Sequence, residues 1–264
     1  MVGAGNDFII LDNGFKVQGS RLKGLDALAR RLCDRKTGIG ADGMLVLEKS
    51  KTADFRMRIF NADGSEAEMC GNGLRCAVLL TGKRKTNVET KAGIYDGEIT
   101  ARNRVKIRME NPKDLRWDFS IKVNLRDLKV NYINTGVPHI VIFVEGLGKI
   151  NVNAIGRAVR YHKKFEPKGA NVNFVEIVDD NNINIRTYER GVEGETLACG
   201  TGSVAAAIIT ALSVKRKALN VKFGINVHTK GGVLRVEFTK SENKVKDVYL
   251  DGEAKIVFEG NIII

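Results

Sequence analysis

The chain is written twice, and that repeat restricts it to folds in which two similar halves each build a core. EMCGNGLRCAVLL from Glu68 answers LACGTGSVAAAII from Leu197, which sets Cys70 and Cys199 129 positions apart. GADGMLVLE from Gly40 answers GANVNFVEI from Gly169 at the same offset. TKAGIYDGEIT from Thr90 answers TKGGVLRVEFT from Thr229 at 139, and GNDFIIL from Gly5 pairs more weakly with GVPHIVI from Gly136 at 131. Four blocks in one order at nearly one offset define two homologous halves. The boundary falls in residues 112–117.

Within each half the residues predict a similar set of elements. Residues 8–11, 44–47, 55–60 and 105–109 are short β-rich runs bounded by Gly, Asp and Asn, and they predict strands; 140–144, 172–177, 183–188 and 233–238 do the same in the second half. Residues 73–80 and 202–212 carry Ala and Leu without turn residues, which predicts one buried helix per half. Residues 21–31 and 155–161 predict peripheral helices, and 255–264 a last strand returning to the first half.

Lys and Arg number 43 against 31 Asp and Glu, a net charge of +12. The excess is spread along the chain, in short clusters such as residues 83–85 and 215–217. No aromatic-interleaved basic motif accompanies it, so it reads as a solvated basic surface and no nucleic-acid partner is expected. No apolar run approaches the roughly 20 residues that span a bilayer, and no signal-peptide core is present, so a cytoplasmic protein without a membrane partner is expected. In that reducing setting Cys33, Cys70, Cys76 and Cys199 are expected as free thiols, and no paired CxxC spacing suggests a metal site.

Each Cys-Gly-x-Gly sits where a loop enters a predicted central helix. A helix start has unpaired amides and a positive dipole end, so it binds an anion and lowers a thiol's pKa, to roughly 3.5–7.5 from about 8.5. If the two starts face each other, one ligand carboxylate is held by both sets of amides with a sulfur on either side of its α-carbon. That is a two-base racemase: one thiolate takes the proton and the opposing thiol returns one to the far face. Cys33 and Cys76 lack this repeat context and read as small buried hydrophobes. Gly38-Ile39-Gly40-Ala41-Asp42-Gly43 matches GxGxxG, but an apolar strand follows it rather than a helix, so no dinucleotide site is expected.

The motifs GNDF at Gly5, GIGADG at Gly38, FNADGSEAEMCGNGLRC at Phe60, HKKFEPKGANVNFV at His162 and YERGVEGETLACGTGS at Tyr188 resemble those of diaminopimelate epimerases, in order and spacing, along essentially the whole chain. The resemblance implies an α+β fold of two pseudo-symmetric α/β domains from internal duplication, each a curved mixed or antiparallel sheet wrapped around a central helix. The domains are residues 1–115, joined by the strand at about 255–264, and residues 116–254. It implies interconversion of L,L- and meso-2,6-diaminopimelate in lysine biosynthesis, with no pyridoxal phosphate, metal or other cofactor, by a homodimer.

By motif, Cys70 and Cys199 are the acid/base pair, and Gly71, Asn72, Gly200 and Thr201 hold the reacting carboxylate. Asn6, Asn61, Asn171, Glu189 and Arg190 match substrate-binding positions, and His139 a supporting position near the pair. Two positions depart from the family pattern: Val137 stands in a motif usually read GNPH, and Gly43 where some members carry a ligand-binding Gln. Members also usually carry several more residues before the GNDF block. Two other readings compete. A proline or hydroxyproline racemase shares the duplicated fold, although its first motif is usually MCGHG. A non-catalytic binding protein would use the basic surface for an acidic partner.

Overall fold

The computed structural model describes residues 1–12, 24–214, 220–242 and 244–262. The chain divides into two compact units, Met1–Ile107 with Gly252–Ile264, and Arg108–Asp251. Each is an α+β unit in which a mixed sheet wraps one central helix, a second helix covering the outer face.

The first unit contains β1 (Val2–Gly3), β2 (Asn6–Asp12), α1 (Leu25–Cys33), β3 (Gly43–Glu48), β4 (Phe55–Asn61), β5 (Glu66–Ala67), α2 (Gly71–Thr81), β6 (Lys85–Thr90), β7 (Gly93–Ala101) and β8 (Arg104–Arg108). Its sheet runs β2-β3-β4-β6-β7-β8, with β2–β3 and β4–β6 parallel and the other pairs antiparallel. Side chains alternate across it. Ile9, Leu11, Met44, Val46 and Phe60 meet α1 on one face. Phe8 and Leu45 meet α2 on the other, where a Cβ on Gly73 would lie 3.1 Å from Leu45.

The second unit repeats this path after an added hairpin. It contains β9 (Lys113–Val123), β10 (Arg126–Asn134), β11 (Pro138–Phe143), α3 (Val152–Arg160), β12 (Asn171–Asp179), β13 (Asn182–Glu189), β14 (Gly194–Thr196), α4 (Gly200–Val214), β15 (Val221–Thr229), β16 (Gly232–Ser241) and β17 (Lys244–Glu253). Here β11–β12 and β13–β15 are the parallel pairs, the counterparts of β2–β3 and β4–β6. Helix α4 is buried continuously from Gly202 to Leu212. A helix apolar all round has to be enclosed, and β10 to β13, β15 and β16 all pack on it.

Twelve of the thirteen expected elements correspond to strands and helices, with several displaced ends. The expected helix over 21–31 is α1, and residues 21–23 lie outside the described residues, as do 215–217. The helix expected over 155–161 begins earlier, because the Asn151 side chain accepts from Ala154 N at 3.1 Å and caps it.

The strand expected over 255–264 is corrected. Lys255 pairs with Val2, but 256–262 form no strand, and Ile256, Val257 and Phe258 stay exposed, so no face of that run is buried. Residues 263–264 lie outside the described residues. The stretch 112–117, expected to hold the boundary, opens β9 a few residues past the division at Ile107/Arg108. Leu115, Trp117, Phe119, Ile121 and Val123 alternate there with polar residues, and Asn124-Leu125, both with positive φ, form the two-residue turn into β10.

Candidate active site

Cys70 ends an extended segment, with φ −142° and ψ 115°, and its carbonyl accepts from Leu74 N at 2.9 Å, which makes it the residue that opens α2. Cys199 does the same for α4 through Ser203 N, also at 2.9 Å. Neither first turn carries an acidic side chain, so the leading amides of both helices keep their positive character. Asn72 and Thr201 occupy equivalent positions, but Asn72 is buried and its Oδ1 accepts from Arg75 Nη2 at 2.8 Å. Arg75 is itself wholly buried and donates to Gly71 O and Glu253 O.

In the first unit the structure brings Asn6 to Cys70, with the thiol 3.8 Å from Asn6 Oδ1. That orientation of the amide is set from behind: Asn6 Nδ2 donates to Asp42 Oδ2 at 2.7 Å, and Arg35 holds Asp42 and Asp7 together at 2.8–3.0 Å. Burial tends to raise the Asp7 carboxyl, and the hydrogen bonds from Arg35 and Asp42 together with the Arg35 charge outweigh it, leaving the group below the usual carboxylate range. Asn61 is exposed and donates to Ser65 Oγ at 2.9 Å. Gly43 faces α2 at the start of β3, where a Cβ would come within 2.8 Å of Phe60 O. Such a contact requires the backbone to shift, so the glycine at this departure from the family pattern belongs to the local packing.

In the second unit the register puts His139 of β11, Asn171 and Asn173 of β12, and Thr187 of β13 on the face that meets α4. A Cβ on Gly202 would come 2.5 Å from Asn173 Oδ1 and 3.3 Å from Cys199 Sγ, so this row of polar residues lies against the thiol's own turn. Thr201 Oγ1 is 3.5 Å from Cys199 Sγ, and Thr135 Oγ1 donates to Thr201 O at 3.0 Å. Asn171 accepts from Arg190 N at 2.8 Å and donates to Pro138 O, so it fixes the backbone that carries Arg190. Glu189 accepts from Thr196 Oγ1 at 2.9 Å; burial raises its carboxyl above the usual range against that hydrogen bond.

His139 has no exposed surface. Burial, reinforced by the Arg190 charge, pushes its imidazole down to about 3. Cys33 and Cys76 are driven up by burial to about 11 and about 12, as fits packed, protonated thiols. Asp42, Arg75, Asn173, Thr187 and Thr196 were not foreseen as site residues. Only Asn173 left a trace in the sequence, as one of two polar residues at alternate positions in the otherwise apolar run NVNFV.

The model of the family described as diaminopimelate epimerase matches residues 1–114 and 131–257. A diaminopimelate epimerase of Aquifex aeolicus is 42% identical, covering 98% of this chain and 95% of that one. Among solved structures, a phenazine biosynthesis protein of the PhzF family from Bacillus anthracis superposes with a TM-score of 0.74 at 21% identity, covering 99% of this chain and 94% of that one. A hydroxyproline epimerase from Agrobacterium vitis does so with 0.68 at 15%, covering 96% and 87%. At such identities these two structures speak for the fold alone.

Proposed function

Because the chain belongs to the diaminopimelate epimerase family, and is therefore an isomerase, we propose that it interconverts L,L- and meso-2,6-diaminopimelate, with Cys70 and Cys199 as the acid/base pair. The observation that carries this reading is the repeated placement of a cysteine as the opening residue of a buried, glycine-started helix, once per unit. One thiolate takes the α-proton, the other thiol delivers a proton to the opposite face, and the amides of Gly71, Asn72, Gly200 and Thr201 stabilise the carboxylate as the carbanion develops. Arg190 engages a carboxylate bidentately, Glu189 takes an ammonium, and Asn6, Asn61 and Asn171 serve either group.

Thiols and amides supply base, acid and anion stabilisation, so the reaction proposed calls for neither pyridoxal phosphate nor metal. Among the described residues no helix is long and apolar enough to cross a membrane. A cytoplasmic homodimer acting in lysine biosynthesis completes the proposal.

Incubation of L,L-diaminopimelate in heavy water tests it. Deuterium at the α-carbon together with a mixture of isomers is the expected outcome. A folded sample yielding neither refutes the proposal, and turnover of trans-4-hydroxy-L-proline instead would move the chain to the racemase reading.

A further inference from the structure

The two units fill three equivalent sheet positions with opposite chemistry. In the first, Phe8, Leu45 and Ile59 face α2 and are 5%, 0% and 2% exposed. In the second, the same places in β11, β12 and β13 hold His139, Asn173 and Thr187, at 0%, 0% and 3%. The equivalence is fixed by contacts as well as register. Leu45 pairs with Ile59 as Asn173 pairs with Thr187, and the second glycine of each Cys-Gly-x-Gly, Gly73 or Gly202, lies against Leu45 in one unit and Asn173 in the other. The architecture is therefore satisfied by an apolar trio, and burying a polar one is not a demand of the fold.

The hydrogen bonds of the trio allow one arrangement. Ile140 O can only accept, and it lies 2.9 Å from the Asn173 side-chain nitrogen, which fixes the amide; Thr187 Oγ1 donates to Asn173 Oδ1 at 3.0 Å and agrees with it. The same NH2 group lies 3.2 Å from His139 Nδ1, so Nδ1 must accept and carry no proton. The proton of the neutral ring then sits on Nε2, a buried atom with no hydrogen-bond partner among the described residues.

We propose that Asn173, braced by Thr187, is a positioning residue that locks His139 as the Nε2–H tautomer, so that the ring serves the second unit's site as a neutral hydrogen-bond donor to an anionic group and not as a proton-accepting base. A buried donor left unpaired is destabilising, and an oxyanion in the site relieves it. The low proton affinity of the ring agrees with this role, since burial and Arg190 both disfavour the imidazolium. The proposal deepens the epimerase reading by naming what one of its supporting residues does.

The chain has three histidines, so long-range proton–nitrogen correlation spectra of the histidine-labelled protein resolve each ring, and His139→Phe assigns the signal in question. The expected spectrum shows His139 with a bare Nδ1, a protonated Nε2 and no titration between pH 5 and 8. Asn173→Leu, which copies the first unit, is expected to release the ring into a mixture of tautomers. Asn173→Asp offers a carboxylate to Nδ1–H, and is expected to invert the tautomer and to add an ionisation to the pH profile of kcat/KM. A wild-type ring protonated at Nδ1, or an unchanged tautomer in a folded Asn173→Leu protein, overturns the proposal. The spectra need no substrate, so a failed epimerase assay beside the expected tautomer would sink the functional reading and leave this inference standing.

Discussion

Mild acid should destabilise this protein through His139 before its carboxylates are protonated. The ring is neutral and enclosed in the folded state, and it takes up a proton when the second unit unfolds. The unfolded chain thus binds more protons, and stability rises with pH. The contribution is complete above about 6.5 and is lost as pH falls toward the folded value of about 3. The slope approaches 1.36 kcal/mol per unit below the unfolded value, so the fall from pH 6.5 to 4.5 alone removes about 2–3 kcal/mol, on the order of fiftyfold in the unfolding equilibrium.

The raised Glu189 carboxyl works in the opposite sense, as its extra stability is present at low pH and lost as pH rises through its folded value. The comparison that isolates His139 is therefore with His139→Phe, a substitution the fold accommodates where Phe8 packs in the first unit. Trp117 is the single tryptophan and lies in the second unit, so its fluorescence in urea follows the relevant transition. Midpoints of the two proteins should diverge from pH 7.5 to 4.5 by roughly the amount given. Parallel curves would refute the reasoning.

Cys70→Ser and Cys199→Ser should each lower epimerisation by on the order of 10²–10⁴-fold, with thermal midpoints close to wild type, in a chiral assay of diaminopimelate isomers. Gly202→Ala forces a methyl against Asn173 Oδ1 and the Cys199 turn, and should cost about 1–3 kcal/mol by urea denaturation as well as activity; an unchanged midpoint would contradict the close packing described. Asp42→Ala removes the acceptor that orients Asn6 and should lower kcat/KM while leaving the urea midpoint nearly unchanged, because the Arg35 pair it breaks is exposed. Leu125→Gly replaces a left-handed leucine, 93% exposed, at the tip of the β9–β10 turn and should raise stability by up to about 1 kcal/mol; a lower midpoint would show that the side chain is engaged.

The sequence by itself determined the duplication, the two helix-opening cysteines and most strands, because these rest on local pattern: glycine before an apolar run, and β-branched residues between turn formers. The alternation in residues 115–123 was equally legible and was passed over because 112–117 was read only as the boundary between the halves. The repeat alignment also misled by one residue. Gly40 matches Gly169 at 129, yet Leu45 and Asn173, the true counterparts, stand 128 apart, and a one-residue slip in a strand exchanges its two faces.

Only the tertiary structure could therefore show that Asn173 faces α4, that a polar trio replaces an apolar one, and that Arg35 and Asp42 stand behind Asn6. Those relations join residues distant in the chain, 14 positions apart for Asn173 and Thr187, 34 for His139 and Asn173 and 36 for Asn6 and Asp42, through sheet register and helix docking. Local pattern reports which side chains a strand must bury. It does not report which side chain of another strand will lie beside each one, and hydrogen-bond partners, tautomers and proton affinities depend on that neighbour.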